Sequence, residues 1–348
     1  MSKLKFKTLG INILVSLVSI LFSALFLILV LEVRHYIKNK QVINQTWHDP
    51  NTQFDPELGW SPIPNRSINS PDWGMISSNS LGFRSAEIDQ NKNQIIVLGD
   101  SIAWGFGVND EETFPHYLDK LVSSMGYQVS NLAVSGYGID QYYLFFKRHI
   151  SRFNNLKKVI LVIYPDNDFI STGSNFCYGK RKPLFKIKNS DLILTNTKIN
   201  KYCLRNLFSN SYFLSRYLPY EGTIGKFLSL VAGDKVLTEG EAKEISLLLF
   251  QKIYDLVISH KTEFLVVLSP AKNDFTERSD SLKWFEHVFN KVKGKGINYI
   301  DYIEALKNNQ KELDNIYLDN GHYTKKGNLL LAETVYKYLQ EETKLAVN

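Results

Sequence analysis

Cysteine is nearly absent from this chain, with only Cys177 and Cys203 among 348 residues. Two thiols cannot build a disulfide scaffold or a four-thiolate zinc site, although they suffice for one bridge. An excess of charge of one sign is also lacking, since 41 Lys and Arg stand against 35 Asp and Glu, a formal net charge of +6. So mild a balance leaves no strong electrostatic footprint, and nucleic acid is not an expected partner. Glycine (20) and proline (10) are too sparse for a collagen-like or low-complexity chain, and 44% hydrophobic residues exclude intrinsic disorder. Residues 99–107 are glycine-containing but lack the spacing and the lysine of a phosphate loop, so no nucleotide cofactor is expected.

Charge is also missing from one long stretch. Residues 11–31 contain no ionisable side chain, and their only polar members are Asn12, Ser16, Ser19 and Ser23. At ~1.5 Å per residue a helix of this length crosses the ~30 Å hydrocarbon core of a bilayer. The run is too long for the apolar region of a cleaved signal peptide, and Glu32-Val33-Arg34-His35 stands where small residues should mark cleavage. An uncleaved anchor is expected. Lys3, Lys5 and Lys7 before it are matched by Arg34, Lys38 and Lys40 after it, so the flanks barely set orientation. A first helix followed by a long folded domain favours export of that domain, to the periplasmic side.

The remaining chain divides by composition. A short tail (1–10) and the anchor (11–31) are followed by an Asn-, Pro-, Ser- and Asp-rich segment (32–92) without helical or strand periodicity, read as a tether and loop-rich lead-in. From residue 93 short β-branched runs at 95–98, 129–133, 159–164, 264–268 and 299–300 alternate with helical patterns at 114–125, 140–150, 241–260, 281–292 and 325–339. That alternation predicts an α/β domain over 93–348 with a five-stranded parallel sheet of flavodoxin-like type. Residues 169–240 break the rhythm and read as an insertion after the third strand. They hold both cysteines, either bridged or unpaired, a strand-turn-strand pattern over 186–195, and Lys180-Arg181-Lys182, which reads as a solvated hairpin edge in preference to a patch for an anionic ligand.

One strand end carries chemistry. Ile95-Ile96-Val97-Leu98 runs directly into Gly99-Asp100-Ser101, placing a serine at the carboxyl edge of the sheet, where α/β proteins bind ligands. A serine hydroxyl needs a base within hydrogen-bond reach, and that base needs an orienting partner. Of the seven histidines only His322 follows an aspartate by three residues, in Asp319-Asn320-Gly321-His322, just before the last helix. Asp319 would accept the Nδ1 proton and leave Nε2 to take the proton of Ser101. Two further strand ends offer donors for an oxyanion: Gly136, whose backbone N–H can approach closely, and Asn167, through its side-chain amide.

Taken together these residues resemble the SGNH hydrolases, the GDSL-type esterases and lipases, and specifically their membrane-anchored bacterial members. The Gly-Asp-Ser block holds Ser101, a second block spans Asn131-Leu132-Ala133-Val134-Ser135-Gly136, a third carries Asn167-Asp168, and the last carries Asp319 and His322. The likeness covers residues 94–342; Gly59-Trp60 and Asn79 to Arg84 are similar to the lead-in of anchored members. It departs at Ile102, where leucine is usual, at Pro165-Asp166, where glycines are common, and in the long insertion. The resemblance implies a three-layer α/β/α fold with strand order 2-1-3-4-5, a Ser101–His322–Asp319 triad, and an oxyanion hole from the Ser101 N–H, the Gly136 N–H and the Asn167 side chain, without metal or cofactor. It implies a serine esterase or deacetylase acting on an acylated cell-envelope polysaccharide or lipid. An O-acyltransferase using the same triad, with a membrane acyltransferase partner, is the second reading, and a non-catalytic glycan-binding envelope protein the third.

Overall fold

The computed structural model describes residues 13–32, 34, 50–71, 73–177, 180–196, 199, 235–292 and 297–347. The chain divides into two compact units, residues 1–48 with 202–234 and residues 49–201 with 235–348. Of the first, the described part is helix α1 (Ile13–Glu32) and residue 34; the most apolar window of α1 has a mean hydropathy of 3.0, and none of its residues is buried. It is long and apolar enough to cross a membrane. Cys203 lies outside the described residues, so the cysteine pairing does too.

The second unit opens with two hairpins, β1 (Thr52–Asp55) with β2 (Gly59–Pro62) and β3 (Ser67–Ser70) with β4 (Gly74–Ser77). Both hairpins fall within the segment read as a tether and loop-rich lead-in. Each strand has four residues, too short to show a period, and what holds them is turn chemistry and distant contacts. Asp55 Oδ1 accepts the Glu57 and Leu58 N–H groups (both 2.9 Å), and Arg148 grips the same carboxylate at 2.6 and 3.1 Å. Leu58, Trp60 and Phe83 are buried members of the main core.

Five parallel strands follow: β5 (Asn93–Leu98), β6 (Tyr127–Asn131), β7 (Leu156–Ile163), β12 (Glu263–Leu268) and β13 (Asn298–Asp301), numbered to leave room for the insertion strands β8 (Phe176–Cys177), β9 (Lys180–Arg181), β10 (Phe185–Lys188) and β11 (Asp191–Leu194). Across the sheet the order is β6-β5-β7-β12-β13, which is the expected 2-1-3-4-5. The helices are α2 (Ser101–Trp104), α3 (Phe114–Val122), α4 (Ile139–His149), α5 (Pro165–Ser171), α6 (Glu239–Ser259), α7 (Asp280–Val292), α8 (Tyr302–Leu306), α9 (Leu313–Ile316) and α10 (Lys325–Val347).

Alternation along the strands sorts the core into two layers. Ile96, Leu98, Leu161, Ile163, Val266 and Leu268 pack with Phe145 and Phe146 of α4, Leu249 and Ile253 of α6, and Phe285 of α7. Ile95, Val97, Ile160, Val162, Leu265 and Val267 face the other way, against Phe114 and Leu118 of α3 and Leu331 and Val335 of α10. Helix starts follow local signals: Thr113 Oγ1 caps α3 and Pro115 sits in its first turn, while Thr238 and Glu241 cap α6 reciprocally.

The insertion keeps the predicted hairpin, β10 paired with β11, and its tip residues Asn189 and Ser190 have φ of 51° and 65°. Two left-handed residues in succession are what a tight two-residue hairpin turn requires. The expectation for Lys180 to Lys182 is overturned in part: Lys182 is completely buried and paired with Asp140, because the segment docks onto the domain instead of projecting from it. Gly59 marks the contact, since a Cβ there would lie 2.0 Å from the Arg181 carbonyl oxygen.

Candidate active site

The site forms where β5, at the centre of the strand-order reversal, gives way to α2. Gly99 is required by space, since a Cβ on it would meet the Ala103 Cβ at 2.7 Å. Asp100 caps the short helix, its Oδ1 accepting the Ile102 N–H at 2.9 Å. Ser101 is the first helical residue, and the helix stops after one turn at Gly105, whose φ of 92° lets its N–H reach the Ser101 carbonyl.

The loop between α9 and α10 carries Asp319 and His322. Ser101 Oγ lies 2.8 Å from His322 Nε2, and His322 Nδ1 lies 2.7 Å from Asp319 Oδ2. Residues separated by 221 positions thus form one continuous relay. Asp319 Oδ1 also accepts the Gly321 and His322 N–H groups, both at 2.8 Å. Partial burial pushes the Asp319 carboxyl upward, but the His322 ring and these two N–H groups outweigh it and hold it below the usual carboxylate range. The loop itself is pinned: Leu318 N–H donates to the His322 carbonyl, and Lys272 N–H to the Asn320 carbonyl. Phe106 packs on the His322 ring with centroids 4.4 Å apart, and Trp73 of the lead-in packs on Phe106 at 4.9 Å.

The other predicted residues sit at the neighbouring strand ends. After β6, Val134 N–H donates to the Gly99 carbonyl (3.1 Å), which draws the following loop beside β5. Gly136 has φ of 77°, open to glycine at little cost. Among the described residues, neither the Gly136 N–H nor the Ser101 N–H has a hydrogen-bond acceptor. After β7, Asn167 in α5 donates one Nδ2 hydrogen to Asp100 Oδ2 at 3.0 Å, leaving the second free to point elsewhere. Asn131 is buried, its Oδ1 taking the Ala133 N–H and its amide facing the Ala103 and Trp104 carbonyls, so it supports α2 from below.

Buried carboxylates surround this constellation. Burial raises Asp100, opposed by Asn167, the Ile102 N–H and the His322 charge. Asp168 is raised well above the carboxylate range by burial and by Asp100, against a 2.6 Å bond from the Tyr142 hydroxyl and one from the Tyr164 N–H. Burial likewise raises Asp140, against the pull of Lys182.

Sequence reasoning missed several supports. Arg84 is buried with all five donors engaged: Nε on Asp110 (2.7 Å), Nη1 on the Trp104 and Gly105 carbonyls, and Nη2 on those of Met75 and Val108. It ties the lead-in to the loop that leaves α2. Trp60 donates from Nε1 to the Ser135 carbonyl (3.2 Å), while the Tyr137 hydroxyl donates back to the Trp60 carbonyl (2.5 Å). The signal available in the sequence was the Gly59-Trp60 and Asn79 to Arg84 segments, whose partners lie up to 77 residues away.

Among the described residues no group of three His, Cys, Asp or Glu side chains is placed to hold a metal. A cavity of about 660 Å³ lies against β13 and α10, and its lining includes none of the site residues.

No family model matches the sequence, and no curated protein matches it. Among solved structures the chain is similar to a member of the lipolytic G-D-S-L protein family from Veillonella parvula, with 13% identity, 70% of this chain and 96% of that one covered, and a TM-score of 0.39. It is also similar to a psychrotrophic esterase from a Pseudoalteromonas species inhibited by monoethylphosphonate, with 10% identity, coverage of 73% and 100%, and a TM-score of 0.41.

Proposed function

We propose that the protein is a membrane-anchored serine esterase or deacetylase of the SGNH type, with Ser101 as nucleophile. The observation that carries this reading is the unbroken relay from Ser101 Oγ through His322 to Asp319, at 2.8 and 2.7 Å. His322 Nε2 takes the hydroxyl proton as Ser101 Oγ attacks the ester carbonyl, and Asp319 keeps Nδ1 protonated and stabilises the imidazolium. The Ser101 N–H, the Gly136 N–H and the free Asn167 hydrogen receive the negative oxygen of the tetrahedral intermediate. That intermediate collapses as His322 returns the proton to the alcohol oxygen, leaving an acyl group on Ser101. Water, deprotonated by His322, attacks the acyl-enzyme and releases the acid, restoring the serine.

The His322 side chain is 24% exposed and that of Asp319 53%, so the relay opens onto the surface rather than into a tunnel. An ester carried on a large molecule can reach it, which supports an acylated cell-envelope glycan or lipid as substrate. Helix α1 supports a membrane-bound enzyme; the reading puts the domain on the periplasmic side, the side that a first helix followed by a long folded domain favours. The Phe106 ring on His322, and the Trp73 ring on Phe106, favour a second reading, transfer of the acyl group to a polysaccharide hydroxyl. A sugar seated there would displace the water that hydrolysis needs, and a membrane acyltransferase partner would supply the donor.

The test is labelling and turnover in one preparation. A fluorophosphonate probe is expected to modify the parent protein, and p-nitrophenyl acetate hydrolysis to fall at least 1,000-fold in Ser101→Ala and His322→Ala. Equal turnover by Ser101→Ala would reject the reading, and unlabelled parent protein would favour a non-catalytic glycan-binding role. Acetylated glycan formed in preference to acetate, seen by mass spectrometry, would select transfer over hydrolysis.

A further inference from the structure

We propose that Lys182, from the insertion, is a positioning residue for the oxyanion hole: its ammonium group joins the two elements that carry the Gly136 and Asn167 donors. The inference rests on the hydrolase reading above. Lys182 and Asp140 form an ion pair in which both side chains are fully buried. Asp140 lies in the first turn of α4, four residues beyond Gly136, and its Oδ1 accepts the Gln141 N–H. The same ammonium donates to the Ser171 carbonyl at 3.0 Å, at the end of α5 and one helical turn beyond Asn167. A single cation therefore bonds to the start of one donor element and the end of the other.

The two helices already meet closely there. A Cβ on Gly138 would lie 2.2 Å from Ser171 Oγ, so no spacer can enter between them. Tyr142, on the next position of α4 facing α5, bonds to Asp168, the residue after Asn167. Lys182 is itself held at both ends of its backbone, its N–H on the Asn175 carbonyl and its carbonyl on Asn196 Nδ2 at 2.7 Å. The insertion thus delivers the side chain from a fixed point.

Electrostatics gives the pair its leverage. Asp100, Asp140 and Asp168 are all buried around this junction, and Asp100 is the carboxylate that orients the Asn167 amide. A buried ion pair that loses one partner leaves an uncompensated charge, which destabilises the packing of the elements around it. Here those elements are α4 and α5, and a shift of a fraction of an ångström in a donor acts on the transition state more than on substrate binding.

The experiment compares Lys182→Met and Asp140→Asn with Leu339→Ala, a core truncation in α10 on the opposite layer of the sheet, at matched loss of thermal stability. Lys182→Met is expected to lower kcat at least tenfold with KM within threefold, Asp140→Asn to lower it about threefold to tenfold, and Leu339→Ala to leave kcat unchanged. Unchanged kcat in folded Lys182→Met, or an equal loss in Leu339→Ala, overturns the proposal. If Lys182→Met does not fold, Asp140→Asn decides by the same criterion. Failure of the parent to show Ser101-dependent turnover defeats the hydrolase reading instead. Amide exchange then tests the brace alone: faster exchange over 132–138 and 164–171 in Lys182→Met or Asp140→Asn than in Leu339→Ala supports it, and no difference overturns it.

Discussion

Asp319 shows how one carboxylate can serve three bonds at once. Because it accepts from the His322 ring and from two backbone N–H groups, its charge is held at pH values where an ordinary aspartate begins to protonate. Asp319→Asn keeps the shape but offers an amide that can present N–H to Nδ1, favouring the wrong tautomer. The expected result is a kcat lower by about 10²- to 10⁴-fold with KM nearly unchanged, measured with a small acetyl ester. Under the proposed mechanism Asn167→Ala removes one oxyanion donor and should lower kcat about 100-fold. Of the candidate site residues, Ser101 stood out because it follows a strand directly, and His322 because an aspartate precedes it by three residues just before the last helix. The second tasks of Asp100, holding the Asn167 amide, and of Lys182, inside the fold, were not legible. They depend on contacts 67 and 42 residues apart for which no spacing rule exists.

At the scale of elements, the central strands could be read because both faces of each are buried, so their apolar runs are continuous. Boundaries shifted where a strand carries polar residues: β7 begins at Leu156 rather than 159 because Lys157 and Lys158 mask it, yet Lys158 is buried and paired with Glu263 and Glu342. The lead-in hairpins were illegible for the opposite reason, since four-residue strands acquire their structure from the surfaces they dock on. The second of them is anchored by Arg84, which donates to the Met75 carbonyl. Arg84→Ala would remove five hydrogen bonds, to four backbone carbonyls and to Asp110 Oδ1, and should destabilise the domain by about 3–5 kcal/mol in urea unfolding. Arg84→Lys retains the charge but not the planar fork, and should recover less than half of that loss. Full recovery by lysine would mean that charge, not the five-bond geometry, fixes the loop after α2.

For the molecule as a whole, acid should act on the fold through a group far from the relay. His149, at the end of α4, packs against Phe83 and Phe145 with centroids 5.1 and 4.5 Å away, and its Nδ1 is buried with no hydrogen-bond partner among the described residues. Burial, then the charges of Arg148 and Arg152, push its pKa down to about 4, whereas the unfolded chain carries an ordinary histidine near 6.5. The unfolded state therefore binds the proton first as pH falls. Stability attributable to the neutral ring is intact above about pH 6.5 and is lost progressively toward pH 4, on the order of 2 kcal/mol once its partial solvent contact is discounted. Replacing the ring by His149→Phe keeps the aromatic packing and removes the titration. Urea unfolding at pH 7 and pH 4.5 should show the parent losing more stability between the two than the variant does. Equal losses would place the acid sensitivity elsewhere, with Asp319 the next group to examine, since a depressed carboxylate also loses its contribution as pH falls through its folded pKa.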